Sequence, residues 1–186
     1  MPPKTKILRE DIISTAVDIV RKNGAFALNA RAIAAELGCS TQPVFSNFAT
    51  MDELREAVIG SAETLYGYAV TKEQRNGGYH PYKAYAMAYI HFAEDEKELF
   101  KLLFMRDKSG GDADGIYDPE VIRHAADAAG ISEESAEFFH MEFWAFVHGV
   151  AVMVADGEMR PEDDLIINMM TDIFEGLKFR FGGVIL

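Results

Sequence analysis

A chain of 186 residues with 49% hydrophobic and 26% charged residues has the composition of a folded globular protein of one or two helical units, which excludes a disordered chain. The single Cys39 excludes an intrachain disulfide framework, we expect that no apolar run reaches membrane-spanning length, and no apolar secretion signal is found, so we expect a cytoplasmic protein. The net charge of −12 does not exclude a DNA-binding N-terminal part, because residues 1–50 carry six basic and four acidic side chains, whereas the remainder carries 12 basic and 26 acidic ones.

The first predicted element is an amphipathic helix that ends at Gly24. Its apolar face is formed by Ile12, Ile13, Ala16, Ile19 and Val20. Two short helices joined by a tight turn are predicted next, within residues 24–54. Together the three helices predict a head of the helix-turn-helix type.

The first short helix is bounded by Asn29, a favoured N-cap residue, and by Gly38, which can adopt a positive φ. Its apolar face is formed by Ile33, Ala34 and Leu37. Ser40 is predicted to cap the second short helix. Pro43 is tolerated in its first turn, because the N–H group that proline lacks has no partner within the helix there.

The second short helix separates apolar from polar side chains. Its apolar stripe is formed by Val44, Phe45 and Phe48, and its polar side chains are Thr41, Gln42, Ser46 and Asn47. The polar residues are of the types that read a DNA groove. Thr50 and Glu53 then have the spacing of a capping box, which predicts a third capped helix from Met51.

These segments resemble the N-terminal motif of the TetR family of transcriptional regulators in order and spacing. The matching segments are Gly24, 31–34, 38–40, 45–48 and 52–54. The chain departs from the family pattern at Phe45, where the family usually has a phosphate-contacting Tyr, and at Met51, where it often has a Lys that faces the DNA backbone. Residues 143–158 resemble the Trp-x-x-x-His-Gly helix of one branch of the family.

The resemblance implies that the helix at 41–47 enters the major groove of an operator. Within it, Gln42 and Asn47 are the expected hydrogen-bonding groups, since Gln and Asn can pair with adenine. The full set of expected DNA-binding residues is Lys6, Asn29, Arg31, Ser40, Thr41, Gln42, Phe45, Ser46, Asn47 and Thr50.

The remaining pattern predicts further helices and no clear strand. A long helix runs from Met51 to the low seventies, and Gly77, Gly78 and Pro81 end it. Helical spacing from 82 to 104 is interrupted near 94–96, a loop is predicted at 109–118, and helices begin near Pro119, Ser132 and Pro161. We therefore expect an all-α fold, with a helix-turn-helix domain at 1–50 and a helical effector-binding and dimerisation domain at 51–186.

Two of the later helices are apolar on more than one face. Residues 143–154 are nearly all apolar, which predicts a central, buried helix. The last helix has two apolar flanks, of which one can serve the core and the other a two-fold dimer interface. The expected interface residues are Ile166, Met170, Ile173, Leu177 and Phe181, and the second flank is Leu165, Met169 and Phe174. A single broader core face is the alternative.

The same helices contain the materials of an aromatic pocket with few polar groups. Trp144 and His148 are four residues apart and so share one face of a helix. The family resemblance implies a small-molecule effector, and the expected lining is Tyr85, Tyr89, Phe104, Phe143, Trp144 and His148. Simple core packing of these residues is the alternative.

Candidate catalytic and metal-binding patterns are incomplete. The Glu137-x-x-His140 pair is a single copy, whereas a diiron bundle needs two copies and further carboxylates. His91 and Glu94 fit a pair on a helix surface, Asp112–Gly115 matches a calcium loop only at its start, and Cys39 fits a packed residue better than a redox sensor. We expect no catalytic residue, metal or cofactor.

The function predicted from the sequence is that of a one-component transcriptional repressor. It is expected to bind an inverted-repeat operator in double-stranded DNA as a homodimer and to be released by a small-molecule effector. The alternative is a helical binding or enzymatic protein in which the helix-turn-helix is only a scaffold.

Overall fold

Helices are the regular elements of the part of the chain that the computed structural model describes, residues 7–106 and 118–182. In chain order they are α1 (Arg9–Asn23), a 3₁₀ turn (Ala25–Ala27), α2 (Ala30–Glu36), α3 (Gln42–Asn47), α4 (Met51–Asn76), α5 (Pro81–Asp95), α6 (Lys97–Phe104), α7 (Pro119–Ala129), α8 (Glu133–Ala155) and α9 (Asp163–Phe181). The predicted all-α fold class is confirmed for these residues.

Most helix ends lie where local signals predict them. Gly24 and Gly38 have φ values of +81° and +63°, a region that glycine reaches without steric cost. Pro81 and Pro119 are the first residues of α5 and α7, as expected of a residue whose φ is already helical. The predicted loop at 109–118 lies outside the described residues except for Asp118.

The start of α3 differs from the prediction. The N-cap position is Thr41 and not Ser40, and no side chain caps the helix. Thr41 already has helical φ and ψ angles of −72° and −10°, whereas a capping side chain needs an extended backbone at its own residue. The chain thus enters α3 directly from the turn at Gly38.

The chain divides into two compact units. The N-terminal unit comprises residues 7–67 and 96–106, and the C-terminal unit comprises residues 68–95 and 118–182 of the described chain. The boundary expected between residues 50 and 51 differs from this division. Two interactions explain the difference: the first part of α4 contributes fully buried residues such as Val58 to the N-terminal unit, and α6 packs against α1.

The N-terminal unit is a small helical core built on α1. Helix α1 packs against α2 and α6, and α2 packs against α3. Arg21 on α1 donates a hydrogen bond of 2.7 Å from Nε to Glu96 just before α6, which fixes these two helices to each other. The largest fully buried side chains of this unit are Ile12, Val20, Ile33, Val44, Phe48, Leu54, Val58, Leu99 and Phe100. Their burial holds the two short helices of the motif against α1.

The C-terminal unit is a bundle in which α8 packs against α5, α7 and α9. One face of α8 forms the centre of the core, with Phe139, Phe143 and Val147 buried. The prediction of a central helix agrees with these contacts, but the burial predicted for residues 143–154 is limited to one face of α8. Its opposite face is exposed, including Phe138 and Met153 at 66% and 42%, because no helix among the described residues of this unit covers it.

Helix α8 is long and apolar enough to cross a membrane by length and composition alone. It has 23 residues, and 44% of its most apolar segment is buried inside the protein. The expectation that no apolar run reaches this length is therefore wrong for α8. Core helices of soluble proteins meet the same criterion, and α8 packs against three other helices of the C-terminal unit.

Candidate DNA-binding and effector sites

The N-terminal end of α2 is fixed by Asn29. Its Oδ1 accepts hydrogen bonds from the backbone N–H groups of Arg31 and Ala32, at 3.1 and 3.0 Å, and its Nδ2 donates to the carbonyl of Ala27 at 3.0 Å. The predicted N-cap is confirmed. Arg31 lies beside it with an exposed side chain.

Helix α3 buries one side and exposes the other. Val44 and Phe48 are 1% exposed and pack into the N-terminal unit, whereas the side chains of Gln42, Phe45 and Ser46 are exposed. Ser46 donates its hydroxyl proton to the carbonyl of Gln42 at 2.9 Å. The exposed surface of α3 therefore offers the amide of Gln42, the ring of Phe45 and the acceptor oxygen of Ser46.

Asn47 does not belong to that exposed surface. Its side-chain Nδ2 donates to the carbonyl of Pro43 at 2.9 Å, and the residue is half-buried. This differs from the sequence expectation that Asn47 is one of the two main hydrogen-bonding groups. The difference arises because a short amide at the end of a helix can bond the carbonyl of the preceding turn.

Thr50 and Glu53 fix the junction between α3 and α4. The N–H group of Glu53 donates to Thr50 Oγ1 at 3.1 Å, and the N–H group of Ala49 donates to Glu53 Oε2 at 2.7 Å. In a capping box the carboxylate of Glu53 would accept a hydrogen bond from the N–H group of Thr50. Here it accepts one from the N–H group of Ala49, one residue earlier. The Ala49 N–H group and the guanidinium of Arg9 both lower the pKa of Glu53.

Arg9 is a positioning residue that the sequence analysis missed. Its Nη1 donates to the carbonyl of Asn47 at 2.5 Å and to Glu53 at 3.1 Å, and its guanidinium lies 3.9 Å from the centroid of the Phe48 ring. It therefore holds the end of α3 and the start of α4. No local pattern reveals a contact between residues 38 positions apart.

Of the other expected DNA-binding residues, Ser40 and Thr50 are exposed and Thr41 is half-buried. Lys6 lies outside the described residues. Cys39 is half-buried in the turn between α2 and α3.

Three of the six expected effector-binding residues meet in the C-terminal unit. Tyr89 Oη and His148 Nδ1 form a hydrogen bond of 2.9 Å, and the rings of Trp144 and His148 stack with centroids 4.7 Å apart and planes 13° apart. Tyr89 is buried, whereas Trp144 and His148 are half-buried. This cluster, Tyr89–Trp144–His148, joins α5 to α8.

The other three expected residues are placed differently. Phe143 is 4% exposed and packs in the core against Tyr82, with ring centroids 5.2 Å apart. Tyr85 lies beside His124 of α7, at 5.9 Å between centroids. Phe104 belongs to the N-terminal unit, where its ring lies 5.2 Å from that of Tyr66. The helical spacing of aromatic residues cannot distinguish these three environments.

A pocket of about 290 Å³ lies within the N-terminal unit, between the 3₁₀ turn, α4 and the end of α6. Its lining is Ala25, Leu28, Asp52, Arg55, Glu56, Val58, Ile59, Leu102 and Arg106. Its lining has no net charge, because the positive charges of Arg55 and Arg106 equal the negative charges of Asp52 and Glu56. None of the residues expected to bind an effector lines this pocket.

The side chains of the candidate metal-binding patterns do not come together, because each histidine forms its hydrogen bonds with other residues. His140 is buried and its Nδ1 forms a hydrogen bond of 3.0 Å with Tyr82 Oη, whereas Glu137 is exposed. His91 pairs with Glu73 and Asp163 and not with Glu94. Within residues 7–106 and 118–182, no three side chains of His, Cys, Asp or Glu are grouped as a metal ion requires, and Asp112–Gly115 lies outside these ranges.

The exposure of side chains on α9 differs from that expected of a dimer interface. Ile166 and Met170 are each 2% exposed and belong to the core of the C-terminal unit, so they are not available to a partner. Phe181 and Leu177 are half-buried, and Phe181 packs on Phe139 at 6.0 Å between centroids. Ile173 alone of the five is exposed, at 36%.

Comparison with known proteins gives a family match and several structural neighbours. Residues 82–173 match the family described as the tetracyclin repressor-like C-terminal domain. No curated protein matches the chain significantly.

Solved structures share the fold. A TetR-like transcriptional regulator from Rhodococcus sp. RHA1 is 18% identical with a TM-score of 0.64, covering 92% of this chain and 93% of its own. A protein of unknown function from the same organism is 24% identical with a TM-score of 0.73, covering 96% and 99%. The multidrug binding protein EbrR, complexed with imidazole, is 16% identical with a TM-score of 0.56, covering 89% and 88%.

Proposed function

We propose that this chain is a one-component repressor, because it belongs to the TetR-like family of transcriptional regulators. As a homodimer it binds an inverted-repeat operator through α3, and a small-molecule effector bound by its C-terminal unit releases the DNA. The single observation that carries this proposal is the exposed, polar side of α3 on a rigidly held helix-turn-helix.

The N-terminal unit supports DNA binding by its construction. Asn29 and Thr50 each accept backbone hydrogen bonds at the start of a helix, and Arg9 holds the end of α3. The groups that contact bases must be fixed within a fraction of an ångström to discriminate among them. Gln42 can then pair with the N6 and N7 atoms of adenine in the major groove.

Exposed apolar side chains on α8 and α9 support the homodimer. The exposed stripe on α8 consists of Phe138, Ala145, Gly149 and Met153, and that on α9 includes Leu165 and Ile173. The two helices pack against each other, and Arg180 on α9 donates to Glu142 on α8 at 2.8 Å. Two copies of this surface related by a two-fold axis would bury both stripes, and the small Ala145 and Gly149 would let the helices approach closely.

The cluster Tyr89–Trp144–His148 is the candidate effector site. It combines an aromatic surface with one polar pair inside the bundle, which is the composition of small-molecule sites. The half-buried indole of Trp144 leaves part of this surface open to a ligand.

Selection of bound fragments from a genomic DNA library with purified protein tests the proposal. Enrichment of one inverted-repeat sequence is expected, with half-site centres about one helical turn apart or somewhat more. The matched control is the Gln42→Ala protein, whose fold should be unchanged because Gln42 is exposed. A protein that enriches no sequence would instead favour a helical binding or enzymatic protein that keeps the motif as a scaffold.

A further inference from the structure

We propose that Phe45 reads the 5-methyl group of a thymine in the operator. This inference rests on the proposed function, because it requires α3 to lie in the major groove. It assigns to the ring a role in sequence discrimination and not only in affinity.

The position of Phe45 on α3 carries the inference. The residue is 54% exposed, whereas Val44 on the same helix and Phe48 directly after it are each 1% exposed. Phe45 follows Gln42 by three residues, so the two side chains lie side by side on the open surface of α3. Packing of the N-terminal unit therefore does not account for a phenyl ring at this position.

The chemistry of the ring restricts what it can contact. A phenyl group has neither donor nor acceptor, so it cannot form a hydrogen bond to a phosphate oxygen or to a base edge. The thymine 5-methyl is the apolar group displayed in the major groove, and Phe is among the side chains that contact it. An A·T pair shows this methyl together with the adenine N6 and N7 atoms that a glutamine recognises.

Gln42 and Phe45 together therefore favour A·T pairs. The amide would bond an adenine while the ring covers a thymine methyl of the same or the adjacent pair. We expect each half-site to contain a thymine whose methyl group contributes to affinity.

Replacement of single thymines by uracil tests this assignment, since uracil pairs as thymine does but lacks the methyl group. The probe is the duplex most enriched by the wild-type protein, with uracil placed at one thymine position of each half-site at a time. Wild-type affinity should fall by about fourfold per half-site at one position, the factor given by burial of one methyl group. The Phe45→Ala protein should bind the thymine and uracil duplexes equally.

Phe26 provides the matched control. Its ring is 92% exposed, it lies in the 3₁₀ turn of the same unit, and it is not part of α3. The Phe26→Ala protein should keep the full difference between thymine and uracil, and the circular dichroism of both variants should match that of wild type. The assignment would be overturned if wild type bound every uracil duplex as tightly as the thymine duplex. It would also be overturned if Phe45→Ala kept the full difference in affinity between the thymine and uracil duplexes. Absence of any enriched duplex would overturn the proposed function itself, and this inference with it.

Discussion

At the scale of single residues, the surface of α3 is defined as much by bonds within the protein as by residue type. Asn47 and Gln42 are both amides, yet Asn47 bonds the carbonyl of Pro43 while Gln42 remains exposed. Arg9, from the start of α1, fixes the carbonyl of Asn47 and so the end of the helix. Of the two amides, Gln42 is therefore the one that we propose reads a base.

The Gln42→Ala protein should lose discrimination at one base pair of each half-site. The expected cost is about 1–3 kcal/mol for each good contact, because the adenine then faces no partner. Arg31→Ala should instead weaken binding to all sequences alike, since we propose that this exposed arginine contacts the phosphate backbone and not a base edge. Competition binding with duplexes changed at single positions distinguishes the two, and an unchanged sequence preference in Gln42→Ala would contradict the assigned role.

At the scale of secondary-structure elements, His91 links three helices of the C-terminal unit. Its Nδ1 lies 2.9 Å from Glu73 Oε1 on α4, and its Nε2 lies 3.1 Å from Asp163 Oδ1 at the start of α9. Burial lowers the pKa of His91, but the hydrogen bonds and charges of the two carboxylates outweigh it, so the net pKa is raised. The protonated imidazole can donate to both carboxylates at once.

This arrangement predicts a pH-dependent contribution to stability. A raised pKa in the folded state means that the contribution is complete below the ordinary histidine pKa of about 6.5 and is lost as the pH rises through the folded value. The free energy of unfolding of wild type should thus exceed that of His91→Gln by more at about pH 6 than at about pH 8.5. Urea unfolding of both proteins at both pH values measures it, and a difference independent of pH would contradict the linkage.

At the scale of the whole molecule, two surfaces determine the proposed regulation: the exposed stripes on α8 and α9, and the cluster Tyr89–Trp144–His148. The units share α4, whose residues 51–67 belong to the N-terminal unit and 68–76 to the C-terminal unit. A ligand changes DNA affinity only to the extent that it binds one conformational state better than the other.

Met153→Glu should convert the proposed dimer to a folded monomer. Met153 is 42% exposed on α8, so the monomer tolerates the charge, whereas the dimer would bury an unpaired carboxylate. The matched control is Tyr68→Glu, which changes a residue that is 69% exposed on α4, a helix that carries neither stripe. Sedimentation at micromolar concentration measures the assembly, and a monomeric wild type would refute the proposed interface.

An effector should change the fluorescence of Trp144, the single tryptophan, and release operator DNA. A tenfold loss of operator affinity requires about 1.4 kcal/mol of coupling, and the effector must bind the DNA-bound dimer tenfold more weakly. His148→Ala should weaken effector binding, whereas Tyr85→Phe, at a ring that lies beside His124, should not. Unchanged effector affinity in both His148→Ala and Trp144→Phe would assign these residues to the core.

The sequence by itself determined the helices and most of their ends. Asn29, Gly38, Pro81 and Pro119 act within a few residues of their own positions, through side-chain caps, a positive φ or a fixed φ, so their effect can be read without the fold. The exposed side of α3 was predictable in part for the same reason: Val44 and Phe48 of the predicted apolar stripe are each 1% exposed, whereas Phe45 of the same stripe is 54% exposed.

Only the tertiary structure decided which apolar face of a helix is buried and which residues distant in sequence are in contact. Ile166 and Met170 face the core while Leu165 and Ile173 remain exposed, although both flanks of α9 are apolar in the sequence. The contacts of Arg9 with Asn47 and of Tyr89 with His148 join residues 38 and 59 positions apart. The physical reason is that helical spacing defines the faces of a helix, whereas the face that is buried depends on how neighbouring helices fill the available space.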